Sequence, residues 1–127
     1  MAIPDYQTVM LPLLRFLSDR QERAMAQVVE AMAAEFNLNS DEREHLLPSG
    51  ASTVIGSRVG WARTYLKKAG LVESPRRGII RITERGEKTL KSAPKRIDVT
   101  YLEQFPEFVE FRTLRHESES TNSSRHY

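Results

Sequence analysis

From Val54 to Gly86 the residues read VIGSRVGWARTYLKKAG, then LVES, PRRG, IIRIT and ERG, and no other stretch of the 127 residues restricts the fold as much. The first piece spaces its apolar residues as a helix does and stops at a glycine. Two short apolar runs follow, separated by a turn that carries two arginines. The spacing predicts a helix from about Thr53 to Ala69. On a helical wheel Ile55, Val59, Ala62 and Leu66 fall within about 60° of one another and make a core-facing stripe. Ser57, Gly60, Arg63, Thr64, Lys67 and Lys68 lie on the opposite, solvent-facing side. Trp61 and Tyr65 flank the stripe on one edge, where buried packing is the expected role of both. Gly70 suits the left-handed position that closes a helix. Leu71–Ser74 and Ile79–Thr83 read as β segments, joined by Pro75, Arg76, Arg77 and Gly78 as a four-residue hairpin loop.

The flanking segments supply the rest of a helical core. Asp5 can cap a first helix with apolar positions at Val9, Met10, Leu13, Leu14, Phe16 and Leu17, and Pro12 within it should bend it. A second helix is expected from about Ala24 to Phe36, with Met25, Val28, Val29, Met32, Ala33 and Phe36 on one buried stripe. Asn39 and Glu42 have the spacing of a reciprocal cap for a short third helix through Leu47, before a break at Pro48-Ser49-Gly50. Thr83 can cap a helix through Leu90, and Leu102, Phe105, Phe108, Val109 and Phe111 predict further short helices broken at Pro106. Residues 1–115 are therefore expected as a single domain and 116–127, which have no apolar pattern, as a disordered tail.

Charge is segregated along the chain. Residues 1–49 carry four Lys/Arg against eight Asp/Glu, residues 50–96 twelve against three, and residues 97–127 three against six. The positive excess thus falls on the helix-and-hairpin segment, which points to a polyanionic partner. A helix feeding an arginine-tipped hairpin, within a mainly α chain, reads as a winged helix-turn-helix with a small β-hairpin wing and extra C-terminal helices. Such a helix needs an apolar face for docking on its own domain, and an outer face of small, polar and basic residues for contact. Ser57, Gly60, Arg63, Thr64 and Lys67 meet that need by residue type, and Arg76, Arg77 and Arg81 are the candidate wing contacts to DNA phosphates. Arg85 and Lys88 read as solvated surface.

The stretch GWARTYLKKAGLVESPRRGIIRITERG at 60–86, with IPDYQTVMLPLLRFL at 3–17 and IDVTYLEQFPEFVEF at 97–111, resembles the N-terminal domain of Mrr-type restriction proteins. The residues that carry the likeness are Gly60-Trp61-Ala62, Leu66, Ala69-Gly70-Leu71, Arg77-Gly78, Thr83 and Gly86, in this order. The resemblance implies a winged-helix DNA-binding module for double-stranded DNA. In that family the module precedes a nuclease of the PD-(D/E)xK type that cuts modified, typically methylated, DNA.

Catalysis is not expected of these residues. That nuclease chemistry needs an acidic residue on one strand and an acid-x-Lys on the next to hold Mg²⁺. Here Glu87-Lys88 lacks the spacer and lies in an expected helix. The chain then reads as an excised domain, a truncated product or a stand-alone binder. His45, His116 and His126 are scattered, and no glycine-rich phosphate loop links a strand to a helix, so neither cofactor nor metal is expected. Cysteine is absent, no signal peptide is visible, and no apolar run approaches the ~20 residues of a membrane span, so a cytoplasmic location is expected. Two other readings stay open: a winged helix used for protein interaction or homodimerisation, and a stand-alone transcriptional regulator with a dimer interface at Tyr101–Phe111.

Overall fold

Helix α1 (Tyr6–Phe16) starts where the Asp5 carboxylate accepts the Thr8 N–H at 2.7 Å. The computed structural model describes residues 3–114, so the tail expected at 116–127 lies outside the described residues. Val9, Met10, Leu13, Leu14 and Leu17 are wholly buried, which makes α1 the central element of the core. Its helical backbone continues across Pro12, which lacks an N–H to donate. α1 packs chiefly against α4 and also against α2.

A two-residue strand, β1 (Arg23–Ala24), leads directly into α2 (Met25–Glu35). α2 buries Val28, Met32 and Ala33. It closes through Asn37, at φ 54°, with Asn37 N–H donating to the Ala34 carbonyl at 3.1 Å and Leu38 N–H to Ala33 at 3.0 Å. α3 (Ser40–Glu44) carries the expected reciprocal cap: Glu42 N–H donates to Asn39 Oδ1 at 2.8 Å and Asn39 N–H to Glu42 Oε1 at 2.9 Å. It ends three residues before the expected Leu47. His45 is extended, Leu46 bridges Thr53, and Leu47 N–H donates to the Ser52 carbonyl at 2.9 Å. Pro48 disfavours helical backbone at Leu47, so the chain closes a short antiparallel loop instead.

α4 (Val54–Lys68) is capped by the Thr53 hydroxyl, which accepts Gly56 N–H at 3.1 Å. The anticipated stripe of Ile55, Val59, Ala62 and Leu66 is buried. Gly70, at φ 80°, closes the helix: its N–H donates to Lys67 at 3.0 Å, and Leu71 N–H reaches Leu66 at 2.9 Å.

The hairpin differs from expectation in two respects. β2 (Val72–Arg76) and β3 (Ile79–Ile82) pair Arg76 with Ile79, so the turn is Arg77-Gly78 rather than the four residues from Pro75. The register shifts between Glu73 and Arg76, and the Ser74 hydroxyl lies 2.7 Å from the Arg76 carbonyl and 2.8 Å from that of Ile79. This irregularity accommodates Pro75, which has no N–H for the ladder. The second difference is β1, which pairs antiparallel with β3 and gives the sheet order β1-β3-β2. A two-residue strand has no periodicity to read.

α5 (Glu84–Lys91) is capped by Thr83, whose hydroxyl accepts Gly86 N–H at 3.1 Å and donates to the Gly70 carbonyl at 2.6 Å. α6 (Val99–Leu102) and a last helix, α7, over 106–114 cover the remaining core with Ile97, Leu102 and Phe108. The described residues are thus mainly helical with one small three-stranded antiparallel sheet.

Candidate nucleic-acid interface

Because the core stripe of α4 is tied down on α1 and α2, its opposite face is presented outward. Ser57, Gly60, Trp61, Arg63 and Thr64 line one shallow open depression on it. Lys67 is exposed further along the helix and does not line it. The Thr64 hydroxyl donates to the Gly60 carbonyl at 3.0 Å, which holds its oxygen close to the helix. Arg63 lies beside it, with Nη2 3.4 Å from that hydroxyl. The Nε of Arg63 is buried and has no hydrogen-bond acceptor among the described residues. Lys68 turns away from this group, its ammonium 5.3 Å from the centre of the Phe111 ring.

Gly60 stands out. A Cβ built there would meet no atom within 4 Å, whereas one at Gly86 would lie 2.2 Å from the Leu71 carbonyl oxygen. Packing therefore requires glycine at Gly86 and does not require it at Gly60. A mid-helix glycine costs about 0.8–1.0 kcal/mol relative to alanine.

Trp61 departs from the expected buried packing. It is 46% exposed, while its ring meets that of Tyr65 at a centroid distance of 6.2 Å and 89° between planes. Tyr65 itself is half-buried, among Tyr6, Phe108 and Phe111, with centroids 5.1, 5.6 and 6.0 Å away. On the wheel Trp61 sits one step further from the stripe than Tyr65, and that step carries it to the outer face.

The hairpin cations have unequal surroundings. Arg76 pairs with Glu22 at 2.8 Å. Arg81 pairs with Glu73 at 3.0 Å and stands 3.6 Å from the second Glu22 oxygen. Hydrogen bonding and charge from Glu73 raise the Arg81 pKa above its usual value. Arg77, at the tip, is exposed and has no ion pair among the described residues. Glu22 was not foreseeable as part of this group, because only the pairing of β1 with β3 brings it to the hairpin.

Arg85, expected as solvated surface, is a structural tie. It donates to the Ala69 carbonyl at 2.9 Å at the end of α4, pairs with Glu107 on α7 and lies 5.2 Å from the centre of the Phe105 ring. Among the described residues no group of three or more His, Cys, Asp or Glu is placed to hold a metal ion.

A family model described as the Mrr N-terminal domain matches residues 6–92, more than half of the chain. The chain belongs to the Mrr N-terminal domain family. The match takes in the polar face of α4 and the whole β2–β3 hairpin. The chain is also 36% identical over 96 residues to the type IV methyl-directed restriction enzyme EcoKMrr of Escherichia coli (strain K12), covering 75% of this chain and 31% of that enzyme. It therefore spans about a third of the curated relative it matches. No solved structure matches significantly. No helix among the described residues is long and apolar enough to cross a membrane.

Proposed function

We propose that the chain is a winged helix-turn-helix domain that binds double-stranded DNA as the recognition part of a modification-dependent restriction system. In this reading α2 and α4 are the paired helices, α4 enters the major groove, and β2–β3 is the wing. The observation that carries it is Gly60. A glycine that the fold does not need, at the centre of an outward face with Ser57, Arg63, Thr64 and Lys67, allows close approach of a polyanion. The element order and the sheet order β1-β3-β2 support the winged-helix assignment. The basic excess over residues 50–96 supports a phosphate backbone as partner. That the matched relative is a methyl-directed restriction enzyme supports methylated duplex as the target. Recognition, not cleavage, is the role assigned to these residues, in keeping with the cytoplasmic location expected of such a system.

The test is the binding of a labelled mixed-sequence duplex at two salt concentrations, for the parent and for Arg77→Ala. The parent should bind with a negative logarithmic salt slope of about 0.9 per phosphate contacted, and Arg77→Ala should weaken binding and flatten the slope by about one contact. Absence of salt-dependent duplex binding by the parent would overturn the reading.

A second reading, self-association, is favoured by Val109 and Leu114, 43% and 56% exposed on α7. Sedimentation at two protein concentrations decides it: a concentration-dependent mass supports a homodimer, and a constant monomer mass rejects it.

A further inference from the structure

The polar face of α4 contains one large apolar group, and the DNA-binding reading leaves it without a role. Trp61 is the single tryptophan of the chain and is nearly half exposed. An indole left in water forgoes the burial that apolar side chains gain in a core. It is not loose, however. Its ring stands at right angles against Tyr65, and Tyr65 packs among the Tyr6, Phe108 and Phe111 rings, with Phe108 wholly buried. The indole is therefore backed by an aromatic cluster, which lowers the entropic cost of using it for binding. It lines the same depression as Ser57, Gly60, Arg63 and Thr64, and above Gly60 the space is open.

The edges of base pairs in the major groove are polar with one exception. Hydrogen-bond donors and acceptors line the groove, and the only apolar group is the methyl on C5 of a pyrimidine. Arg63, Ser57 and Thr64 match the polar atoms, and a flat apolar plate among them matches the methyl.

We infer that Trp61 is a specificity-determining residue, whose exposed indole packs on the C5 methyl of a pyrimidine in the major groove. The inference rests on the proposed entry of α4 into that groove. The methyl has two sources, thymine and 5-methylcytosine, with the same contact chemistry.

The test uses the described chain and four mixed-sequence duplex pools of one composition. One carries thymine and cytosine; the others replace thymine by deoxyuridine, cytosine by 5-methylcytosine, or both. The parent should bind at least one methyl-bearing pool tighter than its methyl-free counterpart by about fourfold, the gain from burying one methyl-sized group. Whichever replacement produces the difference identifies the source. Trp61→Ala should remove the difference, Trp61→Phe should keep part of it, and Arg77→Ala should weaken all pools alike. Because Trp61 is the only tryptophan, parent emission should shift to the blue, and quenching by acrylamide should fall, on binding the preferred pool. Equal affinity of the parent for all four pools, or full discrimination by a folded Trp61→Ala, overturns the inference and leaves DNA binding standing. If the parent binds no pool, the DNA-binding reading falls and this inference with it.

Discussion

The Glu22 carboxylate holds the Arg76 guanidinium at 2.8 Å, so a wing cation proposed to meet DNA phosphate already has an anion of its own. The other Glu22 oxygen is 3.6 Å from Arg81, and the acid sits between two arginines as a phosphate would. In the proposed function DNA must displace it. Glu22→Gln should therefore tighten duplex binding by between about 1.4- and 5-fold, the equivalent of an exposed ion pair worth roughly 0.2–1 kcal/mol. It should also steepen the salt slope, since freed arginines reach more phosphates. Anisotropy titrations of parent and variant at matched salt check this. Weaker binding by the variant would mean that Glu22 orients the wing rather than competing with DNA.

Gly60→Ala should separate stability from binding. With nothing within 4 Å of the new methyl, the helix gains its propensity and nothing clashes. Stability should rise by about 0.8–1.0 kcal/mol, and the melting temperature by roughly 3–8 °C. DNA affinity should fall at the same time, because the methyl occupies the space of close approach. Thermal melts together with duplex titrations test the pair of effects. A more stable variant with unchanged affinity would remove Gly60 from the interface.

Gly86→Ala should act in the opposite sense on stability. The added Cβ would lie 2.2 Å from the Leu71 carbonyl oxygen, and backbone cannot swing aside as a side chain does. A loss of roughly 1–3 kcal/mol is expected, as for other forced overpacking. Urea denaturation measures it directly, as a lower midpoint with an unchanged slope.

Acid should loosen both ends of the fold. The Thr8 N–H lowers the pKa of the Asp5 carboxyl below its ordinary 3.8, and the Arg85 guanidinium lowers that of Glu107 below its ordinary 4.5. Each folded-state pKa is depressed, so the stability these groups contribute is complete above the ordinary values and is lost as pH falls through the lowered ones. Melting temperatures should therefore hold steady down to the ordinary carboxylate range and drop below it. Asp5→Ala should flatten part of that drop, at a cost of about 1 kcal/mol at neutral pH for the missing cap.

Local signals made most of the helical scaffold legible. Asp5, Asn39, Thr53 and Thr83 are side-chain caps whose geometry involves only the next three residues, and Gly70 is a stop that depends on one φ angle. The stripe of Ile55, Val59, Ala62 and Leu66 follows from a 3.6-residue period, which also turns Ser57, Gly60 and Thr64 outward. Pro75 reads as part of a longer loop, because a proline beside two arginines and a glycine has the composition of one. In the fold it occupies an irregularity stabilised by the Ser74 hydroxyl. α3 is shorter than its cap alone implies, because Leu46 finds a partner across a break, in Thr53.

By itself the sequence determined the family, the helices and the basic helix-and-hairpin segment, since each rests on interactions or charges between near neighbours along the chain. Only the tertiary structure decided which cations stay uncommitted and which are tied to partners distant in sequence. Glu22 reaches Arg76 across 54 residues because β1 pairs with β3, and Arg85 ties α4 to α7 because α5 packs against Leu71. Such pairings are set by how elements pack in space, and no period or short spacing in the sequence encodes them.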